Sequence, residues 1–243
     1  GLSVGIGIIV AQYFGFGDEE KVKDAIGNSI WIITVCSVIM AIIGFVTARP
    51  ILVLLDTDPV ILNDAVAYLK VVSIGIVCVG FYNGVSGILR ALGDSKTPLI
   101  FLIVASVLNV ILDLIFVLSF GWGVVGAGVA TAFSQLISAL ACIIYAYKSN
   151  TYFKLKKKNI KLNGNIIKKS CKLGIPVALQ NSLIAFSLIV LQKVVNGYGA
   201  TFTTAFTVVS RIETLVQQPF MSLGAAVSTY TGQNIGAGLK DRV

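Results

Sequence analysis

The 243-residue chain is apolar and basic, with 56% hydrophobic residues, a mean hydropathy of +0.89 and a formal net charge of +8. Only 12% of its residues are charged, whereas a soluble domain carries about 25%, so its surface cannot face mainly water. The chain contains no histidine, which excludes histidine triads and imidazole acid–base catalysis. We therefore expect a membrane protein that is not an enzyme and uses no cofactor.

Long apolar segments with at most two charged residues follow one another along the chain. Six of the seven reach about the 20 residues that an α-helix needs to cross a bilayer. In chain order they are residues 1–17, 31–48, 65–89, 97–120, 123–147, 173–195 and 200–239. The sequence thus predicts an all-α polytopic membrane protein with about seven transmembrane helices.

The basic residues are concentrated in one connection. Nine of the 19 lie in residues 148–172, a stretch without Asp or Glu that we call the basic segment. If the loops are numbered alternately, one side of the membrane holds 15 of the 19, and the other holds Arg49 with Asp56, Asp58 and Asp64. The positive-inside rule then predicts a multi-pass protein of the cell membrane with a cytoplasmic basic segment. We expect this segment to contact anionic lipid headgroups rather than nucleic acid.

A short pattern occurs twice, 221 residues apart. Residues 12–22 (QYFGFGDEEKV) align with residues 233–243 (QNIGAGLKDRV), and the Gln, both Gly and the final Val are identical. Each copy ends an apolar helix with a glycine-rich turn, where glycine permits a positive φ. Parallel repeats are common in secondary transporters, and this period implies a parent of about 440 residues with six helices in each of two lobes.

Within such a parent the chain is expected to be truncated at both ends, because it opens directly into an apolar run and stops just past another. We assign residues 1–147 to a partial N-terminal lobe with helices 2–6 of the parent. The basic segment, 148–172, is then the linker between lobes. Residues 173–243 form a partial C-terminal lobe with helices 7 and 8.

Residues 121–126 (GWGVVG) match the G-x-G-x-x-G dinucleotide fingerprint. That fingerprint also needs an acid about 20 residues downstream, and no Asp or Glu occurs between Asp113 and Glu213. We therefore expect a tight turn between two helices, followed by small residues that allow close helix packing.

Asn109 and Asp113 are the most informative polar pair. They lie one helical turn apart and share a face near the centre of an apolar helix. An ionised Asp there costs about 2.5–3.5 kcal/mol on insertion scales, so it needs an interior or wet setting. A carboxylate in such a setting suits a group that alternately binds and releases a cation or proton. The alternative is a structural hydrogen bond to a neighbouring helix.

Neutral polar residues in the last two segments admit two interpretations. Gln180, Asn181 and Gln217 either line a cavity or form interhelical hydrogen bonds. The basic residues within the predicted spans are Lys70, Lys193 and Arg211.

Several stretches, in their order and spacing, resemble the multidrug and toxic compound extrusion (MATE) family across the whole chain. They are residues 11–18 (AQYFGFGD), 88–98 (ILRALGDSKTP), 108–113 (LNVILD), 122–131 (WGVVGAGVAT) and 232–238 (GQNIGAG). The resemblance implies a twelve-helix, two-lobe antiporter that exports cationic or amphipathic compounds in exchange for Na⁺ or H⁺. It also implies a monomer when the protein is full length.

The resemblance further implies a cation site in the first lobe. In one branch of the family this site uses an Asn and an Asp one turn apart, which match Asn109 and Asp113. A tyrosine and a threonine on flanking helices match Tyr68 and Thr131 by spacing, and a partner aspartate lies upstream of this sequence. Another branch has a glutamate in its seventh helix, where this sequence has Ile184.

Two other functions stay open at this point. A lipid-linked oligosaccharide or polysaccharide flippase of the same superfamily would need several Arg or Lys in its cavity for an anionic pyrophosphate cargo. A membrane scaffold or receptor would need neither an Asp within a span nor the repeat. We expect the antiporter.

Overall fold

The computed structural model describes residues 1–55 and 57–243, apart from the side chain of Ala200. Its seven α-helices are α1 (Leu2–Phe16), α2 (Glu19–Leu54), α3 (Pro59–Ala91), α4 (Lys96–Asp113), α5 (Gly123–Ser149), α6 (Gly164–Asn196) and α7 (Ala200–Gly236). A π-helical turn, Leu114–Ser119, continues α4. Asp56, which the charge pattern assigns to a loop opposite the basic segment, lies outside the described residues.

The predicted all-α polytopic fold is confirmed. Five helices, α2 to α6, are long and apolar enough to cross a membrane when α4 is counted with its π-helical turn. Helix α7 is longer than any of them but richer in polar residues, and α1 is a shorter apolar helix. Many large apolar side chains point outward, among them Leu54, Leu118 and Leu183, which is the surface that a lipid environment requires.

Capping residues determine where two of the long helices begin. The Asp18 carboxylate accepts a hydrogen bond from the Lys21 backbone N–H at 3.0 Å, which satisfies a donor left free at the start of α2. The Lys21 ammonium group also bonds this carboxylate and holds its pKa below the usual range. Asp58 accepts from the Val60 N–H at 2.9 Å at the start of α3. Helix α2 therefore begins well before its apolar segment.

Helix α1 occupies the centre of the assembly and contacts α2, α3, α6 and α7. Helix α3 also packs against both α2 and α5, and α4 packs against α5. Small residues allow the close approach of α1 to α6, since a β-carbon on Gly5 would collide with the backbone of Ser170 and Gly174. The two predicted lobes therefore meet along α1.

The contact between α1 and α7 is reciprocal. Gly15 lies against the backbone of Gln233, and Gly236 lies against the backbone of Gln12. These are the paired positions of the sequence repeat, so each copy presents its glycine to the other copy's glutamine. Such an exchange of equivalent contacts is what a two-fold relation between helices produces.

The two copies also end alike. Gly17 and Gly238 adopt positive φ values of 78° and 75°, which favour glycine. The Gly17 N–H bonds the Phe14 carbonyl at 3.0 Å, and the Gly238 N–H bonds the Ile235 carbonyl at 3.1 Å. The repeat is therefore present in the hydrogen bonding of the backbone as well as in the sequence.

Helices extend into the basic segment from both sides. Helix α5 ends at Ser149 and α6 begins at Gly164, where the Asn163 side chain accepts from the Asn165 N–H at 3.1 Å as a cap. The connection between the helices is thus 150–163, shorter than the charge pattern alone indicates. Lys168, Lys169 and Lys172 lie on the first turns of α6.

Replacing Gly15 by Ala should destabilise the protein by about 1–3 kcal/mol, a range typical of overpacked cores. The added methyl group would collide with the Gln233 carbonyl and force α1 and α7 apart. The change is measured as a lower midpoint of thermal unfolding of the full-length protein in detergent. Gly224→Ala is the matched control, because nothing lies within 4 Å of that position. There, helix propensity predicts a gain of roughly 0.5–1 kcal/mol, and equal midpoints for the two variants would contradict the reciprocal contact.

Candidate functional site

Of the predicted pair on α4, Asn109 has a hydrogen-bond partner on a neighbouring helix, and one oxygen of Asp113 has none among the described residues. The Asn109 amide donates a hydrogen bond to Thr131 Oγ1 on α5 at 3.4 Å, and Thr131 itself donates to the Ala127 carbonyl at 3.0 Å. Asp113, one turn further along, is half-buried, and its Oδ1 atom is fully buried without a hydrogen-bond partner among the described residues. Asn109 therefore makes the interhelical hydrogen bond, and the Asp113 Oδ1 atom is left without a hydrogen-bond partner among the described residues.

Tyr68 of α3 faces the same part of α5. Its ring packs so closely over Gly128 that a β-carbon there would lie 3.2 Å from the ring. Gly128 precedes Thr131 by about one helical turn. Tyr68 of α3 and Asn109 of α4 therefore each contact α5, within about one helical turn of each other. Asp113 lies one turn further along α4, and the four residues together stay a predicted site.

The backbone changes its hydrogen bonding directly after Asp113. Residues Leu114–Ser119 form a π-helix, a rare conformation that is frequent at functional sites. Phe116 within this π-helix stacks on Trp122 beyond it, with ring centroids 5.2 Å apart, and Gly121 and Gly123 adopt positive φ values. The GWGVVG stretch is thus the expected tight turn, and its aromatic cluster fixes the far end of the π-helix.

A cavity of about 940 Å³ lies between α3, α4 and α7. This volume falls within the roughly 300–1,000 Å³ of small-molecule sites. No Asp or Glu is among its described lining residues. Its polar lining consists of Tyr82, Asn83, Arg90, Ser95, Gln218, Ser222, Thr229, Tyr230 and Gln233.

Arg90 is the charged residue of this cavity that the sequence did not reveal. It lies in the last turn of α3 and donates to the Ser86 hydroxyl at 2.7 Å. No acid pairs with it in the part of the chain that the structure describes. The predicted span 65–89 stops just before Arg90, so this residue is not among Lys70, Lys193 and Arg211, the basic residues predicted within spans. The apolar run that ends just before Arg90 is the sequence signal that could have placed Arg90 on a helix, because α3 continues to Ala91.

The remaining predicted cavity residues lie elsewhere. Gln180 and Asn181 are exposed on α6 and line neither this cavity nor the smaller one of about 330 Å³ beside it. Gln217 is exposed and donates to Glu213 at 2.9 Å, whereas its neighbour Gln218 lines the cavity. Gln233 also lines it and bridges α7 to α3 by donating to the Ala91 carbonyl at 2.8 Å.

Asp113 and the cavity lie at different levels of α4. Leu99 and Leu102 line the cavity, and Asp113 lies about 16 Å further along the helix axis at 1.5 Å per residue. An ion at Asp113 and a molecule in the cavity would therefore share a helix but no ligand atoms. These features define a membrane-embedded, multi-pass helical protein with a polar cavity between α3, α4 and α7 and a separate unsatisfied carboxylate.

The chain belongs to the MATE family, whose MatE model matches residues 1–115 and 176–243. It is 35% identical over 97% of its length to "Probable multidrug resistance protein YpnP" of Bacillus subtilis, and 30% identical over 100% to "Probable multidrug resistance protein YoeA" of the same species. The chain covers 52% and 54% of these two proteins. It thus spans about half the length of the relatives it matches.

Solved structures show the same fold. An outward-facing multidrug resistance MATE transporter of the MOP superfamily matches 99% of this chain with a TM-score of 0.91 at 25% identity, over 54% of its own length. A MOP superfamily transporter from Pyrococcus furiosus, described as having a binding pocket of reversed polarity that suggests a different function, matches equally well, with a TM-score of 0.91 at 25% identity. Its coverage is 99% of this chain and 54% of that transporter.

Replacing Asp113 by Asn should raise the stability of the ion-free protein by about 1–3 kcal/mol, because the neutral amide removes a half-buried charge that has no partner among the described residues. The midpoint of thermal unfolding in a buffer without Na⁺ at neutral pH measures this gain. The exposed Asp64→Asn variant is the control and should change the midpoint little. A lower midpoint for Asp113→Asn would mean that the carboxylate makes a stabilising contact in the full-length protein.

Proposed function

We propose that this chain is part of a secondary active antiporter that exports cationic or amphipathic compounds in exchange for Na⁺ or H⁺ by alternating access. The observation that carries the proposal is the buried Asp113 Oδ1 atom without a hydrogen-bond partner among the described residues. An uncompensated carboxylate within a span is expensive and is a functional group by default. The relatives named multidrug resistance proteins support drug export as the activity.

The coupling ion would act on Asp113 and its neighbours. A bound Na⁺ or proton neutralises the carboxylate, while the Asn109 side-chain carbonyl and the hydroxyls of Thr131 and Tyr68 supply further oxygen ligands, which suit a hard cation. Coupling requires that the ion bind the two conformations of the lobe with different affinities. Because the cavity lies further along α4, the ion would change the cavity through helix packing rather than by direct competition.

The architecture of the full-length protein follows from the same proposal. Residues 1–147 belong to an N-terminal lobe and residues 173–243 to a C-terminal lobe. The basic segment connects them at the cytoplasmic face of the cell membrane, in keeping with its nine lysines. The full-length protein would act as a monomer.

Replacing Asp113 by Asn should abolish drug resistance while membrane expression stays near normal. The Asn amide carries no charge that a bound ion could neutralise. Ion binding then no longer changes the relative free energies of the two conformations of the lobe. Growth in the presence of a cationic drug, together with ion-driven export of that drug from vesicles, measures the effect. Asp64→Asn should export at the wild-type rate. Retained export by Asp113→Asn would remove the coupling role, and no ion-dependent export by the wild type would favour a scaffold or receptor.

One observation favours the flippase as a second candidate. Arg90 lines the cavity without an acid partner in the described structure, and a guanidinium group binds phosphates well. The P. furiosus relative, described as having a pocket of reversed polarity, makes pocket charge a sensible variable to test.

Arg90→Gln separates these two activities. For an exporter of cations, export of a monovalent cationic dye should stay within about twofold of wild type, because the variant removes only a repulsive charge. Arg90→Lys, which keeps the charge but not the planar fork, serves as the control. A wild type that does not export the dye but moves a pyrophosphate-linked lipid between leaflets, with this movement lost in Arg90→Gln and kept in Arg90→Lys, would contradict the drug antiporter and favour an anionic cargo.

A further inference from the structure

A second, apolar cavity lies within the N-terminal part of the chain. Its volume is about 260 Å³, and every side chain that lines it is aliphatic or aromatic. Its walls are formed by α2, α3 and α5, with Ile26 and Ile33 on α2 and Ile143 on α5, and its roof by Phe153 and Leu155 of the connection 150–163. The volume is below the roughly 300–1,000 Å³ of small-molecule sites, so the cavity suits a narrow apolar chain.

This cavity lies at the ends of the helices that adjoin the basic segment. Ile26 lies about two turns from the start of α2, and Ile143 is in the last two turns of α5. From Ile26 to Ile33 the cavity runs about 10 Å along α2 at 1.5 Å per residue. Its position corresponds to the membrane leaflet on the side of the basic segment.

The roof of the cavity is held in place by a buried polar network. Asn159, only 1% exposed, donates to Asp24 Oδ1 at 2.7 Å and accepts from the Lys156 N–H at 3.0 Å. Asn28, also 1% exposed, accepts from the Asn163 N–H at 2.7 Å. Buried and satisfied networks of this kind specify one arrangement, so the connection covers α2 as a fixed strap.

Positive charge surrounds this strap. All nine lysines of the basic segment are exposed, and of these nine only Lys158 forms an ion pair within the described residues, with Glu20. Lys154 stands between the two roof residues Phe153 and Leu155, and Lys148 follows Tyr147, which lines the cavity. Apolar walls with unneutralised cations next to them in sequence complement an amphiphile with an anionic head.

We propose that this cavity binds one acyl chain of an anionic phospholipid, whose phosphate is held by Lys148 and Lys154. The proposal does not rest on the transport activity, because none of these residues belongs to the proposed ion site around Asp113 or to the cavity between α3, α4 and α7. It goes beyond a general attraction of lysines to the membrane surface, since the strap and the three helices would select one lipid and keep it during purification.

The test uses the full-length protein, equilibrated in nanodiscs of phosphatidylcholine with a minor fraction of phosphatidylglycerol. Native mass spectrometry then counts the lipids retained after release into detergent. We expect one phosphatidylglycerol to be retained in preference to phosphatidylcholine. Replacing Lys148 and Lys154 by Gln should weaken its retention about fivefold for each lysine, the effect of one lysine near an anionic surface.

Two further variants decide between a site and a diffuse charge effect. Lys168→Gln with Lys169→Gln removes the same charge from the same segment, away from the cavity, and should change retention less than twofold. Ile143→Trp should fill part of the cavity and abolish retention with all lysines present. Equal losses for the two lysine pairs, equal retention of phosphatidylcholine, displacement by glycerol phosphate, or full retention in Ile143→Trp would each overturn the proposal.

Discussion

The close approach of the α1 and α7 backbones is the constraint on which the rest of the structure depends. In a membrane, lipid tails are as apolar as the side chains, so helices associate through close packing and polar contacts. Gly15 and Gly236 allow each helix to reach the backbone of the other. Because α1 also contacts α2, α3 and α6, this one crossing sets the position of both parts of the chain and the width of the cavity between α3 and α7.

Within that frame, α4 contains two polar residues with opposite energetics. Asn109 is paired with Thr131 across the helix interface, and such bonds stabilise membrane helices modestly. The Asp113 oxygen is buried and unpaired within the described structure. The π-helical turn that follows it adds a second local irregularity. Natural sequences keep such departures mainly at functional sites, which is why the ion-coupling proposal rests on this residue.

Much of the fold could be predicted from the sequence because lipid imposes simple rules on composition. Hydropathy indicated the helices, and the repeat indicated which two would be equivalent. The start of α2 at Glu19 was missed, since its charged first turns are stabilised by the Asp18 cap and not by apolar periodicity. Arg90 was missed because a charge at a helix end resembles a loop residue until the facing helix is known. The Asn159–Asp24 bond joins residues 135 positions apart, and no local pattern encodes such a pair.

The separation along the chain of the two glycine contacts has a consequence for how the protein is made. Gly15 meets its partner only after Gln233 has been synthesised, 218 residues later. At a synthesis rate of roughly 5–20 residues per second, about 10–40 s pass before α7 can pack against the small-residue face of α1. During that interval α1 is without its main neighbour. Biogenesis of this fold therefore depends on whatever holds α1 in the bilayer, or in the insertion machinery, until the second copy of the repeat arrives.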